Sequence, residues 1–400
     1  MFFGTKKTVN LLTIVYDPGY KNTAVRKSRT THIDGNKGEL SYLGHSISHL
    51  FQNHDYEEVA HLLIWKQFPT AAQKQQFRKN VAREMVPSDS VVRIIQDFDP
   101  STEAYLMIAA GLCAWAASKP ECIPVHAGDG LYLGNSEATD AAIYRSIAAL
   151  MTVTAIVSCC KEKTPFVADV DPTVSPIDNM LRMMKRVDAH GNVDQKTSTT
   201  VNKLCILFAD HEMTNSTAAF LHAASSLSDP ISSSASAILA SQGPLHAGAI
   251  DLAFRRFAQI RDARGGVKKH LEDAKAGRCR VMGVGHRVYR TVDPRITHLK
   301  QLLEQFAVEI AGNPLLEVAM EIEHAVQADE YFTSRNLGIN VDLYGSFVYA
   351  ALGLHSSIFT PMAIIARSAG IYSYWRESMH EVPCLWRPRQ VYTGHGSVAK

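Results

Sequence analysis

Apolar residues recur at helical spacing in one segment after another of this 400-residue chain, and that pattern limits its fold more than any other feature. The segments 57–68, 71–84, 103–118 and 141–158 have helical lengths, and few segments alternate as strands do. A chain that is 46% hydrophobic and 20% charged can bury one large core and usually divides into two domains. The sequence therefore predicts an all-α fold.

Helix-start signals near the N-terminus support this interpretation. Asp55 precedes Glu58 by three residues, which is the pattern of a capping box, and Thr70 follows Pro69 where it can cap the next helix. We expect a helical hairpin in this region.

The stretch 250–276 has a different character, because it is rich in charge and has the pattern of an exposed helical pair that Gly277 would end. We expect it to open a smaller domain, after which uncharged helices return the chain to the main core. The predicted organisation is a large helical domain over 1–246, a small helical domain over 247–345 and the C-terminal part of the large domain over 346–400.

Charge and cysteine content bear on partners and compartment. A net charge of +2, with Lys and Arg spread along the chain, speaks against a nucleic-acid partner. Seven cysteines, an odd number without CxxC spacing, indicate reduced thiols inside a cell, and we interpret them as core residues. No HExxH or similar spacing indicates a metal site.

Membrane and export signals are weak. The apolar stretch 146–160 is too short to span a bilayer, and 344–366 contains Gly, Ser, His and Pro, so both are predicted to be buried helices rather than membrane spans. The N-terminal MFFGTKKTVNLLTIV has no small-residue cleavage site, and the final GSVAK is not a peroxisomal SKL signal. We expect a cytoplasmic protein, with mitochondrial and peroxisomal locations left open.

Two histidines lie in short segments that contain several glycines. His246 lies in GPLHAGA (243–249), and His286 lies in VMGVGHRVYR (281–290), where small residues let a ligand approach the imidazole and the backbone closely. A single histidine among 17 is more often a surface or core residue, so neither position is informative alone. GVGHR lacks the full GxGxxG pattern, which argues against dinucleotide binding.

Charged residues adjoin the same segments. In Asp293-Pro-Arg295, the aspartate is predicted to be the N-cap and the proline the first residue of the helix whose body runs over 296–312. Arg295 would then lie in the first helical turn, where free backbone N–H groups help to bind a carboxylate. Asp342, after the extended INV, is either an N-cap or a buried base with a raised pKa. Arg367 ends an uncharged run, so we expect an anionic partner for it.

Eight motifs taken in order carry a resemblance to a known family. They are IDGNKGELSYLGHSI (33–47), EEVAHLLIWKQFPT (57–70), FADHEMTNST (208–217), GPLHAGA, VMGVGHRVYRTVDPR (281–295), NVDLYGS (340–346), ARSAGI (366–371) and RPRQVYTG (387–394). Together they resemble the citrate synthase family nearly end to end. The resemblance implies a dimeric, almost all-helical enzyme whose large and small domains close over oxaloacetate before an acyl-CoA binds, without cofactor or metal.

The resemblance also implies roles for particular residues. Asp342 would remove a proton from the carbon next to the thioester carbonyl, His246 would hydrogen-bond the carbonyl oxygen, and His286 would polarise the ketone of oxaloacetate. The implied oxaloacetate ligands are His211, Arg295, Arg367 and, from the other subunit of the dimer, Arg387. The implied CoA contacts are Arg290, Val281, Met282 and Gly283.

Departures from the family pattern concern the substrate. Phe208, Ala247, Leu343 and Ile371 replace residues that are common in the family, and 101–103 reads Ser-Thr-Glu where many relatives have His-Pro-Met. Aliphatic side chains at 343 and 371 could make room for an alkyl chain, each buried methylene contributing about 0.8 kcal/mol. We therefore favour an alkylcitrate synthase like those of fungal secondary metabolism. The alternatives are citrate or 2-methylcitrate synthase and, in another class, a non-catalytic dimeric scaffold.

Overall fold

Helices dominate the computed structural model, which describes residues 15–128 and 130–394. The first eleven α-helices are α1 Ile47–Asn53, α2 Tyr56–Trp65, α3 Ala71–Glu84, α4 Asp89–Gln96, α5 Ala104–Ala117, α6 Pro124–Ala127, α7 Ser136–Glu162, α8 Pro176–Met183, α9 Gln195–Phe208, α10 Asn215–Ala224 and α11 Pro230–Ser241. The others are α12 Ala249–Asp262, α13 Gly266–Lys275, α14 Ile296–Glu304, α15 Pro314–Ala328, α16 Glu330–Thr333, α17 Gly345–Ala351 and α18 Phe359–Met379. The all-α prediction is confirmed.

A small antiparallel sheet precedes the helices. Its strands, in spatial order, are β1 Thr31–Asp34, β2 Glu39–Tyr42 and β3 His45–Ser46. Thr31 pairs with Tyr42 and Asp34 pairs with Glu39 across the β1–β2 hairpin. The hairpin turn contacts the segment that follows His286, since the backbone N–H of Arg290 donates to the Gly35 carbonyl at 2.8 Å.

The predicted helical hairpin forms with the expected caps. The Asp55 carboxylate accepts from the Glu58 N–H, the Glu58 side chain accepts from the Asp55 N–H, and Thr70 makes the same reciprocal exchange with Gln73. The charged pair over 250–276 is also present as α12 and α13, and Gly277 follows α13 with a φ of 73°.

Helix α7 runs through the core. By length and composition it could cross a membrane, but 89% of its apolar window is buried inside the protein, where it packs against α3, α5, α8, α11 and α18. The apolar composition of α7 is thus that of a helix in a protein core. The stretch 344–366 is also largely buried, in α17 and the start of α18.

Several local predictions are wrong. The body of the helix after Asp293 begins at Ile296 as predicted, but its N-cap is Arg295 rather than Asp293, whose carboxylate accepts both the backbone N–H and the Nε–H of Arg295. That helix ends at Glu304, and turns follow as far as 312. Cys113 and Cys384 are exposed rather than core residues.

Two further sets of expectations stay predictions. The expectations about the N-terminal MFFGTKKTVNLLTIV and the final GSVAK concern segments outside the described residues, apart from Val15. The domain boundaries near 246 and 345 stay a prediction, although α12, α13 and α15 do pack on one another.

The caps of α3 and α4 give a matched test of the helix starts. Thr70→Ala should lower the free energy of unfolding by about 1 kcal/mol, because it leaves the Gln73 N–H without its acceptor. Ser88→Ala is the control, since Ser88 begins α4 without a side-chain cap hydrogen bond. Denaturant unfolding measures both variants, and equal losses would contradict the capping account.

Candidate active site

His246 lies in the turn between α11 and α12, and a hydrogen bond fixes its tautomer. Its Nε2 accepts from the backbone N–H of Ser216 at 3.2 Å and lies 2.8 Å from the Ser216 hydroxyl, in the first turn of α10. A neutral imidazole that accepts at Nε2 carries its hydrogen on Nδ1. Burial and the charge of Arg367 lower the pKa of His246 to about 4. His246 is therefore a neutral Nδ1–H donor at neutral pH.

His286 has the opposite tautomer. Its Nδ1 accepts from the backbone N–H groups of Val288 at 3.0 Å and Tyr289 at 3.1 Å, so the hydrogen of the neutral ring lies on Nε2. Burial lowers the pKa of His286 to about 4, and the positive charge of Arg295 adds to this effect. His286 is thus a neutral Nε2–H donor.

Asn340 joins the His286 loop to the turn that carries Asp342. Its N–H donates to the Gly283 carbonyl at 2.9 Å, its Nδ2 donates to the Gly285 carbonyl at 2.6 Å, and its Oδ1 accepts from the Asp342 N–H at 2.9 Å. Gly283, with a φ of 78°, allows this approach, because a Cβ there would lie 2.7 Å from the Leu343 Cα. Sequence reasoning missed Asn340, although it begins the NVD motif.

The Asp342 carboxylate is half-buried and accepts no hydrogen bond from the described residues. It lies in the 3₁₀ turn Val341–Leu343, which Asn340 caps, so the N-cap interpretation of Asp342 is wrong. Burial raises the pKa of Asp342 to about 7, with Asp293 adding to the effect and Arg295 opposing it. A carboxylate with such a pKa is a stronger base than an exposed one.

The two buried arginines differ in their partners. Arg295 donates from Nε and Nη2 to the two carboxylate oxygens of Asp293 at 2.9 and 2.7 Å, an ion pair that sequence reasoning missed because capping had already accounted for Asp293. Arg367 donates from Nε to the Phe208 carbonyl at 2.7 Å and forms no ion pair among the described residues. Burial lowers the pKa of Arg367, and the buried Asp210 carboxylate opposes that effect without forming a direct ion pair, so Asp210 is the anionic partner that the described residues supply.

His211 belongs to the same cluster. Its Nε2 lies 3.1 Å from the Tyr289 hydroxyl, and its ring centroid lies 5.3 Å from that of His286. Burial and the nearby arginines lower the pKa of His211 well below its usual value. Tyr289, itself buried, is a second residue that sequence reasoning missed.

Other predicted site residues lie at the surface or in the core. Arg387 is exposed, and its neighbour Trp386 donates its N–H to Ser225 just beyond the far end of α10, so Arg387 lies away from the His246 end of that helix. Arg290 is exposed. Of the other predicted CoA contacts, Met282 is half-buried, and Val281 and Gly283 are buried.

The acyl-pocket candidates are packed side chains in this conformation. Leu343 is 0% exposed, Ile371 2% and Phe208 4%, whereas Ala247 is half-buried next to His246. Solvent therefore does not reach Leu343 and barely reaches Ile371, and an alkyl chain at either position requires these side chains to move.

Comparisons with known proteins agree with this geometry. The family model "Citrate synthase, C-terminal domain" matches residues 19–389. A citrate synthase-like protein, oryE, of Aspergillus oryzae is 41% identical over 95% of this chain and 85% of its own length, and the alkylcitrate synthase phiJ of a fungal species is 34% identical over 95% and 83%.

A solved structure extends the comparison to the fold. Citrate synthase from Thermoplasma acidophilum, in a ternary complex with carboxymethyl coenzyme A and oxaloacetate, matches with a TM-score of 0.86 and 27% identity over 97% of this chain and 98% of that one. The protein has the fold of a condensing transferase. It belongs to the citrate synthase family, whose members need no metal or cofactor.

The Asn340 connection yields a direct prediction. Asn340→Ala should lower the condensation rate on the order of 100-fold, because Asp342 and His286 lose their shared support and small displacements of reacting groups are costly. Asn313→Ala is the control, since Asn313 also caps a helical segment through its side chain, at the start of α15. Wild-type turnover in the Asn340 variant would contradict the assigned role.

Proposed function

We propose that the protein condenses oxaloacetate with an acyl-CoA longer than acetyl-CoA and hydrolyses the adduct to an alkylcitrate and free CoA. The observation that carries the proposal is the pair of neutral histidines with opposite tautomers, together with the Asp342 carboxylate, which accepts no hydrogen bond from the described residues and has a raised pKa. A weak carbon acid needs this combination of a base and a fixed donor at the developing oxyanion.

In the first step Asp342 takes a proton from the carbon next to the thioester carbonyl. The Nδ1–H of His246 donates a hydrogen bond to the carbonyl oxygen, so the C–H electron pair moves into an enolate that this hydrogen bond stabilises. Because the pKa of His246 is low, the ring donates a hydrogen bond without arriving as a cation. The raised pKa of Asp342 brings it closer to that of the carbon acid than an exposed carboxylate would be.

In the second step the enolate carbon attacks the ketone of oxaloacetate. The Nε2–H of His286 polarises the ketone oxygen and passes its proton to the new alkoxide, and the proton that Asp342 removed in the first step replaces it, so Asp342 returns to its carboxylate form and His286 to its neutral form. Arg295 and Arg367, with His211, bind the oxaloacetate carboxylates, and Arg387 of a second subunit completes the site. Arg290 and the 281–283 segment hold the CoA. Water then attacks the thioester carbonyl, the C–S bond breaks, and CoA leaves as the thiol.

The acyl preference rests on the relatives and on four side chains. An alkylcitrate synthase aligns over nearly the whole chain, and aliphatic Leu343 and Ile371 are easier to displace than aromatic residues. Closure of the small domain on the large one would both exclude water and reshape this region. The second candidate is a citrate or 2-methylcitrate synthase. It is supported by the similarity of the fold to the citrate synthase that was solved with carboxymethyl coenzyme A and oxaloacetate.

A substrate panel distinguishes the two candidates. Acetyl-, propionyl-, hexanoyl- and decanoyl-CoA, each supplied with oxaloacetate, should give the highest kcat/KM with a six- or ten-carbon chain, measured as CoA thiol release. A clear preference for acetyl-CoA would reject the alkyl assignment and leave the condensing enzyme standing.

The role of Asp342 makes a prediction about pH. Only the carboxylate form accepts a proton, so kcat should fall about tenfold per pH unit as the pH drops below about 7, the pKa to which burial raises Asp342. Asp342→Ala should abolish thiol release at every pH without changing the oligomeric state in gel filtration. Unchanged release by the variant would refute the assigned base, whereas no release by the wild-type protein would favour the non-catalytic scaffold.

A further inference from the structure

The Thr360 hydroxyl, in the first turn of α18, has two acceptors for one hydrogen. Its Oγ1 lies 3.1 Å from the carbonyl oxygen of Ala247 and 3.0 Å from Oδ2 of Asp251. A hydroxyl carries a single hydrogen. If Asp251 were an anion, either its oxygen or the Ala247 carbonyl would face the hydroxyl oxygen without a hydrogen between them.

The surroundings of Asp251 point to its neutral form. Its Oδ1 is buried and has no hydrogen-bond partner among the described residues. An anionic oxygen in that position is far more costly than the carbonyl oxygen of an uncharged acid. Glu103, at the start of α5, disfavours a second negative charge nearby, while Arg255 on the same helix as Asp251 favours it.

We propose that Asp251 acts as a neutral carboxylic acid that positions His246 through Thr360. The acid hydrogen of Asp251 goes to Thr360 Oγ1, and the Thr360 hydrogen goes to the Ala247 carbonyl, so every hydrogen meets one acceptor. The inference rests on the catalytic role proposed for His246, which precedes Ala247 in the chain.

This connection fixes the peptide between Ala247 and Gly248, one residue beyond His246. The Ala247 carbonyl also accepts the Ile250 N–H at 3.0 Å, so its two lone pairs are held from α12 and α18 at once. With this peptide fixed, the His246 ring keeps its orientation toward Ser216 and aims Nδ1–H at the substrate. Asp251 and Thr360 are therefore positioning residues that need not touch the substrate.

The proposal also predicts a loss of positioning at high pH. Burial raises the pKa of Asp251 to about 6, with Thr360 and Arg255 opposing and Glu103 reinforcing the effect. As the pH rises through that value, the acid loses its hydrogen, Thr360 turns to the carboxylate, and the Ala247 carbonyl is released. Asp251 and Asp342 thus affect turnover in opposite directions as the pH changes.

Substitutions at Thr360 test the geometry. Thr360→Val keeps the shape but removes the hydroxyl, and we expect kcat to fall on the order of 10-fold to 100-fold with the KM for oxaloacetate nearly unchanged. Thr360→Ser keeps the hydroxyl and should restore most of the turnover. Equal kcat in the Val variant and the wild type would overturn the proposal.

Substitutions at Asp251 test the charge state. Asp251→Asn still donates a hydrogen to Thr360, so it should match the wild type at pH 5, where Asp251 is mostly protonated, and exceed it several-fold at pH 8. Asp251→Ala should resemble Thr360→Val at both pH values. If the Asn variant is as impaired as the Ala variant, the ionised acid is the working form and the proposal is wrong. Absence of condensation by the wild type in the same assay would reject the proposed function instead.

Discussion

Backbone N–H groups that donate to ring nitrogens determine the chemistry of this site. Ser216 holds His246 at Nε2, and Val288 and Tyr289 hold His286 at Nδ1, so each ring presents its remaining hydrogen away from its backbone donor. A nitrogen that accepts such a bond resists protonation, and burial beside arginines adds to that resistance. Both histidines are therefore neutral donors, and positive charge is left to the arginines.

The positions of these groups depend on a few close backbone approaches. Gly283 and Asn340 bring the His286 loop against the Asp342 turn, while Gly370 of α18 lets Asp210 approach so closely that a Cβ would collide with its carboxylate. Asp293 aligns the guanidinium of Arg295 through two hydrogen bonds. The reacting residues are thus held in place by residues that carry no chemistry themselves, a common arrangement in precise sites.

Local sequence patterns predicted much of the fold and part of the site. Capping boxes and helical spacing are short-range signals, and α2, α3, α12 and α13 begin close to where they were expected. The two N-cap assignments fail by two residues in opposite directions, because Arg295 rather than Asp293 begins α14, and Asn340 rather than Asp342 caps the 3₁₀ turn by accepting the Asp342 N–H. Tyr289 and Ser216 were missed since their contacts with His211 and His246 are between residues distant in sequence. The role of Arg387 stays a prediction, because it depends on a second subunit.

The central claim concerns the protonation of two imidazoles, and nitrogen-15 spectra of histidine-labelled protein measure it directly. Comparison with His246→Gln and His286→Gln proteins assigns the signals. We predict at pH 7 that His246 carries its hydrogen on Nδ1 and His286 on Nε2, with neither ring cationic. A protonated imidazolium at either position, or the reverse tautomers, would contradict the account.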